Sequence, residues 1–143
     1  MKTTEKLSTP PAPTVSRPTS TVACDIFPFM VVGIGIDIVE VEDMRNARFK
    51  KRVAEYFLTK KEISQTPQGR TMVQFLASRF ALKEAVIKAF PGTLSPFEFS
   101  IVKKGRKPKI LFHSAHHNKS YGVYTSITHT ATTAAAIAVI FKL

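Results

Sequence analysis

Asp37, Glu84, Lys88 and His129 are the side chains whose types and surroundings could do chemistry in this sequence. Glu84 and Lys88 stand four residues apart, so on a helix they share one face, an acid one turn before a base. Asp37 interrupts Val31–Val41, VVGIGIDIVEV, a run otherwise apolar except for Glu40. A carboxylate placed there is costly unless it is paired or coordinates a metal. Carboxylate oxygens suit a hard cation, and Mg²⁺ commonly takes one or two of them together with substrate phosphates. A nearby lysine then adds a point charge for phosphate. Plainer readings stay open at this stage. Asp37 caps a backbone or pairs with an arginine, Glu84–Lys88 is an ordinary helix ion pair worth about 0.2–0.5 kcal/mol, and His129 is a loop histidine.

The elements that would carry these residues can be read from periodicity. The β-branched run Val31–Val41 predicts a buried strand. Alternation puts Val31, Gly33, Gly35, Asp37, Val39 and Val41 on one face, where the glycines leave room for a ligand or a helix. The same glycines do not make a dinucleotide loop, because the third glycine of G-x-G-x-x-G is missing. Arg70 to Phe90 predicts a helix apolar around most of its circumference, hence central and buried. Its one polar seam holds Ala77, Ala81, Glu84 and Lys88, and Pro91-Gly92 stops it. A further helical stretch runs from about Glu42 to Leu58, with a loop at Thr66–Gly69. Phe97–Lys103 with Lys109–Phe112, and Gly122–Thr128 with Ala134–Lys142, predict two hairpins, the second turning at His129–Thr133. The expected class is α+β, a largely antiparallel sheet packed against a long central helix.

Bulk properties narrow the partners. With 143 residues, the chain supports one domain with a real core. Its formal net charge of +11 favours acidic or polyanionic partners. Cys24 is the single cysteine, which excludes an intrachain disulfide framework. The longest apolar runs, Ile26–Ile36 and Ala134–Phe141, are too short to span a bilayer as helices. A long polar stretch precedes the first, against a signal peptide, so the reading is soluble and cytoplasmic. Lys6–Thr21, KLSTPPAPTVSRPTST, predicts a disordered extension over residues 1–29, with the domain over 30–143 and Met30 a plausible start.

Three segments together carry a family resemblance. GIGIDIVEV (Gly33–Val41), FLASRFALKEAVIKAF (Phe75–Phe90) and Ser126-Ile-Thr-His-Thr130 occur in the order of the signature segments of holo-acyl-carrier-protein synthases. These are the small, single-domain class of 4′-phosphopantetheinyl transferases. The resemblance implies that fold, and a cytoplasmic reaction of fatty acid biosynthesis. The phosphopantetheine arm of coenzyme A passes to a serine of an acidic apo-acyl carrier protein, with release of adenosine 3′,5′-bisphosphate. By motif position it implies Asp37 and Glu84 as Mg²⁺ ligands, with Glu84 and Lys88 catalytic. Lys88 and His129 would bind coenzyme A phosphates, assisted by Arg79 and Lys83. It leaves the serine proton to a water on the metal or to a carboxylate near it. It implies a homotrimer with sites between subunits, and neither membrane nor nucleic acid as partner.

Arg45, Arg48 and Arg52 form a stripe on the predicted first helix, which the resemblance makes a docking surface for the carrier. Two features depart from the family pattern. Glu42-Asp43 stands where the family usually has an arginine soon after the strand, and Phe90-Pro-Gly-Thr-Leu replaces its Phe-Gly-Thr-Gly. Rival readings are a basic nucleic-acid-binding module and an inactive relative that binds coenzyme A or a carrier without turnover.

Overall fold

A computed structural model describes residues 30–46, 50–105 and 107–143. The extension expected over residues 1–29 lies outside the described residues, as does Arg48; of Arg52 only the backbone is described. Strand β1 runs Met30–Glu40, and two short helices follow, α1 (Val41–Asn46) and α2 (Lys50–Phe57). The sequence predicted one helical stretch there, and a strand that included Val41. Instead Val41 opens α1, its N–H donating to the Thr132 carbonyl at 2.7 Å. Helix α3 (Lys60–Ile63) leads to the 19-residue α4 (Thr71–Ala89). Then come β2 (Phe99–Lys104), β3 (Lys107–Phe112), α5 (Ala115–Ser120), β4 (Tyr121–His129) and β5 (Thr133–Lys142).

Both predicted hairpins are present and antiparallel, but they belong to two sheets. One has the order β1-β5-β4, so the first and last strands are neighbours; the other is β2-β3. Helix α4 lies across the three-stranded sheet, and Leu76, Ala77, Ala81, Leu82, Ala85 and Val86 are fully buried in it. Two glycines set how closely it approaches. A Cβ on Gly33 would stand 1.9 Å from the Ala89 carbonyl oxygen, and one on Gly35 would stand 2.0 Å from that of Ala85. The bare face of β1 is therefore filled by the helix backbone. The predicted alternation holds from Gly33 to Val39 and fails before it. The pairing with β5 slips between Val31 and Gly33, which leaves Val31 exposed and Val32 against the core.

Helices α3 and α5 were not expected, although both have legible caps. Thr59 and Glu62 form a capping box at α3, and Ser114 accepts from the His117 N–H at α5. Glu62 does more than cap. Its two oxygens accept from the Thr59 N–H and hydroxyl, from the Ile101 N–H and from Lys83, the last an ion pair of 3.0 Å between side chains 0–1% exposed. Lys83 also donates to the Pro96 and Phe99 carbonyls at 2.5 and 2.7 Å. This pair ties α3 and α4 to β2 in the interior.

Removing one partner of a buried ion pair leaves the other charge uncompensated, a cost of about 3–5 kcal/mol. Lys83→Met should lower unfolding free energy in urea by that amount. The double variant Lys83→Met/Glu62→Gln should recover part of the loss; a double variant as unstable as the sum of its singles would mean the two side chains are not coupled.

Candidate active site

Because Gly33 and Gly35 bring β1 against α4, the next inward residue of that strand, Asp37, meets the last turns of the helix. Lys88 donates to Asp37 Oδ1 at 2.6 Å and reaches the Ile36 carbonyl at 3.4 Å. Its ammonium pKa is raised, chiefly by the hydrogen bond to Asp37; desolvation opposes this, and the charges of Asp37 and then Glu84 add to the rise. Lys88 is thus held in the field of two carboxylates. Glu84 is half-buried and has no hydrogen bond or ion pair among the described residues. The structure brings together Asp37, Glu84 and Lys88, one from the first strand and two from the central helix.

Asp37, in contact with Lys88, and Glu84, whose charge acts on the same ammonium, supply two carboxylates, a donor set that fits Mg²⁺. Among the described residues no group of three or more His, Cys, Asp or Glu side chains could hold a metal. Two hard oxygens fall short of an all-protein cage and match a cation that completes its shell with waters and substrate phosphates.

His129 lies elsewhere, at the end of β4. The Gln74 side-chain amide nitrogen stands 2.8 Å from His129 Nδ1 and donates to the Thr130 carbonyl at 2.8 Å. A group that donates to a carbonyl presents its N–H face, so Nδ1 accepts and a neutral ring carries its proton on Nε2. His129 thereby offers one N–H donor outward. It lines a cleft of about 810 Å³ between α4, the β2–β3 hairpin and β4, with Gln74, Ser78, Arg79, Lys103 and Tyr124 among its walls. Asp37, Glu84 and Lys88 do not line this cleft. Gln74 was missed by sequence reasoning, and only its position as a lone amide in an apolar helix start could have flagged it. Its partner is 55 residues away.

Arg79 is at the cleft, as a phosphate-binding role needs. It is nine-tenths buried, packs its guanidinium 4.9 Å from the Phe75 ring centre and donates Nη1 to the Ile101 carbonyl at 3.1 Å. Burial lowers its pKa, an effect opposed by the charge of Glu62. Lys83 corrects the expectation made for it. It lines neither this cleft nor the Asp37 seam; its ammonium faces inward, with its donors spent on Glu62 and two carbonyls and the Phe99 ring centre at 4.3 Å. Spacing along the helix could not show this, since it depends on where α3 packs. Of the arginine stripe, only Arg45 is described with its side chain, exposed and paired with Glu42 at 3.3 Å. At the other end of the seam α4 stops at Ala89, and Phe90 turns extended, as a residue before proline prefers.

The chain has relatives among known proteins. The family model described as 4'-phosphopantetheinyl transferase superfamily matches residues 33–140. The holo-[acyl-carrier-protein] synthase of Listeria monocytogenes is 40% identical over 124 residues, 78% of this chain and 98% of that protein. Among solved structures, a holo-(acyl-carrier-protein) synthase from Bacillus anthracis in complex with CoA (3',5'-ADP) is similar with a TM-score of 0.67 at 28% identity. That match covers 80% of this chain and 99% of the other. The Helicobacter pylori holo-[acyl-carrier-protein] synthase in complex with coenzyme A matches with a TM-score of 0.64 at 30% identity, covering 75% and 98%. With a family match across the span that holds Asp37, Glu84, Lys88 and His129, the chain belongs to the 4'-phosphopantetheinyl transferase superfamily.

Proposed function

We propose that this protein transfers the 4′-phosphopantetheine arm of coenzyme A to a serine of an apo-acyl carrier protein in the cytoplasm. The serine oxygen forms a bond to the phosphorus next to the arm, and its proton passes to a water or to a carboxylate of the site. The pyrophosphate bridge breaks, and adenosine 3′,5′-bisphosphate leaves. The observation that carries the reading is the Asp37–Lys88 contact of 2.6 Å, with the charge of Glu84 acting on the same ammonium. Asp37 and Glu84 hold Mg²⁺, which when bound supplies positive charge against the pyrophosphate. Lys88, half exposed, presents its ammonium to the same phosphates. Arg79 and the outward N–H of His129 bind the nucleotide end.

The separation of the two groups supports a homotrimer with sites between subunits. On one chain the Asp37 seam and the His129 cleft are distinct places, so a coenzyme that uses both can span from one subunit to the next. The outer sheet face supports association too. Ile34, Ile36 and Ile38 are 61–65% exposed, and Ile36 stands opposite the exposed Ile137. A contiguous apolar face of this kind marks a protein interface. Basic Arg45 at α1, with Arg48 and Arg52, is the surface we assign to the acidic carrier, although Glu42 offsets Arg45.

Incubation with an apo-acyl carrier protein, coenzyme A and Mg²⁺ should add one phosphopantetheine to the carrier by mass spectrometry; an unmodified mass across several carriers would refute the transferase reading. Glu84→Gln should reduce the rate at least about a hundredfold, the scale for losing a group that stabilises developing charge, with the melting temperature little changed. Full activity in that variant would remove Glu84 from the ligand set. Ile36→Glu on the apolar face should convert a trimer to monomers in sedimentation and abolish transfer together with assembly; a monomeric variant with undiminished activity would contradict a shared site.

A further inference from the structure

A second cleft, of about 470 Å³, opens between α3 and β2 and is lined by Lys61, Gln65, Phe75, Arg79, Val102 and Lys103. Three of these six residues are cations, and no carboxylate lines this cleft or the larger one. Lys61 and Lys103 make no ion pair among the described residues. Arg79 is nine-tenths buried, yet one hydrogen bond, to the Ile101 carbonyl, uses one of its five N–H donors. The acid beside it, Glu62, is saturated by Thr59, Ile101 and Lys83. The side chain of Arg79 therefore lines two clefts with donors not spent on protein, and none of its nitrogens is both buried and unpartnered, so those donors open to the clefts.

We propose that this second cleft is a binding site for a small phosphate-class anion, and that its occupation antagonises coenzyme A. The cations come from three elements, α3, α4 and β2, so one ligand must present at least three acceptor oxygens in different directions. A tetrahedral phosphate or a pyrophosphate does so, whereas a carboxylate has two coplanar oxygens. Phe75, Arg79 and Lys103 line both clefts. An anion that engages Arg79 from the α3 side takes donors and charge away from the larger cleft. The antagonism rests on the reading that the larger cleft holds the nucleotide of coenzyme A; the anion site itself does not.

Lys61 separates the two, because it lines only the smaller cleft and is exposed. Inorganic pyrophosphate, titrated into the full-length protein in Mg²⁺-free buffer and followed by ¹H–¹⁵N NMR, should give saturable shifts at Lys61, Gln65, Val102 and Lys103. Lys61→Gln should weaken binding about two- to fivefold, the size of an exposed ion pair, and Lys61→Glu more than about tenfold. Shifts reproduced by sodium chloride at equal ionic strength, or unaltered by Lys61→Glu in a protein of unchanged melting temperature, would overturn the site. In calorimetry, pyrophosphate should raise the apparent Kd of coenzyme A for the wild type and not for Lys61→Glu. An equal rise in both would overturn the antagonism. A chain that bound pyrophosphate but no coenzyme A would contradict the transferase reading alone.

Discussion

The structure depends on how closely one helix can lie on one strand. Gly33 and Gly35 present bare backbone to the Ala89 and Ala85 carbonyls, at distances where any side chain would collide with them. Small residues on both sides, with Ala77, Ala81 and Ala85 on the helix, let the axis of α4 approach the sheet. Two residues beyond Gly35 the same strand face carries Asp37, which the short spacing puts within hydrogen-bond reach of Lys88. The carboxylate seam is a by-product of that packing. A wider gap between strand and helix would leave Asp37 and Lys88 facing each other through solvent.

A second constraint acts on another side of α4, at its middle. Glu62 and Lys83 are charged groups with almost no exposure, and each is satisfied several times over. Burying such a pair is weak evidence for stability, because desolvation cancels much of the attraction. What the pair provides is register. It holds α3, the middle of α4 and the start of β2 in one arrangement, and β2 then carries Lys103 to the wall of both clefts. Arg79, one turn before Lys83, takes its place on that wall from the same contacts.

Charge is distributed between these two places. Asp37 pairs with Lys88 and the charge of Glu84 acts on the same ammonium, while the clefts around Arg79 have cations, His129 and hydroxyl side chains in their walls and no carboxylate. The excess charge of +11 is thus gathered partly into concave surfaces, where water is scarcer and a phosphate is attracted more strongly than on an open face.

Much of this was legible in the amino-acid order. Alternation in VVGIGIDIVEV located Asp37 on the glycine face, and the wheel over Arg70–Phe90 isolated the seam of Glu84 and Lys88, because both patterns report local geometry with a fixed period. The hairpins and the end of α4 at Pro91 were equally local. Thr59-x-x-Glu62 was legible as a capping box and went unread. The fate of Lys83 was not legible, since its partners Glu62, Pro96 and Phe99 come from other elements. Nor was the pairing of Gln74 with His129, or the slip at Val31 that turns one residue outward. Periodicity says which side of an element a residue occupies. Only packing decides what stands on that side, because the partner is chosen by contacts distant in the chain.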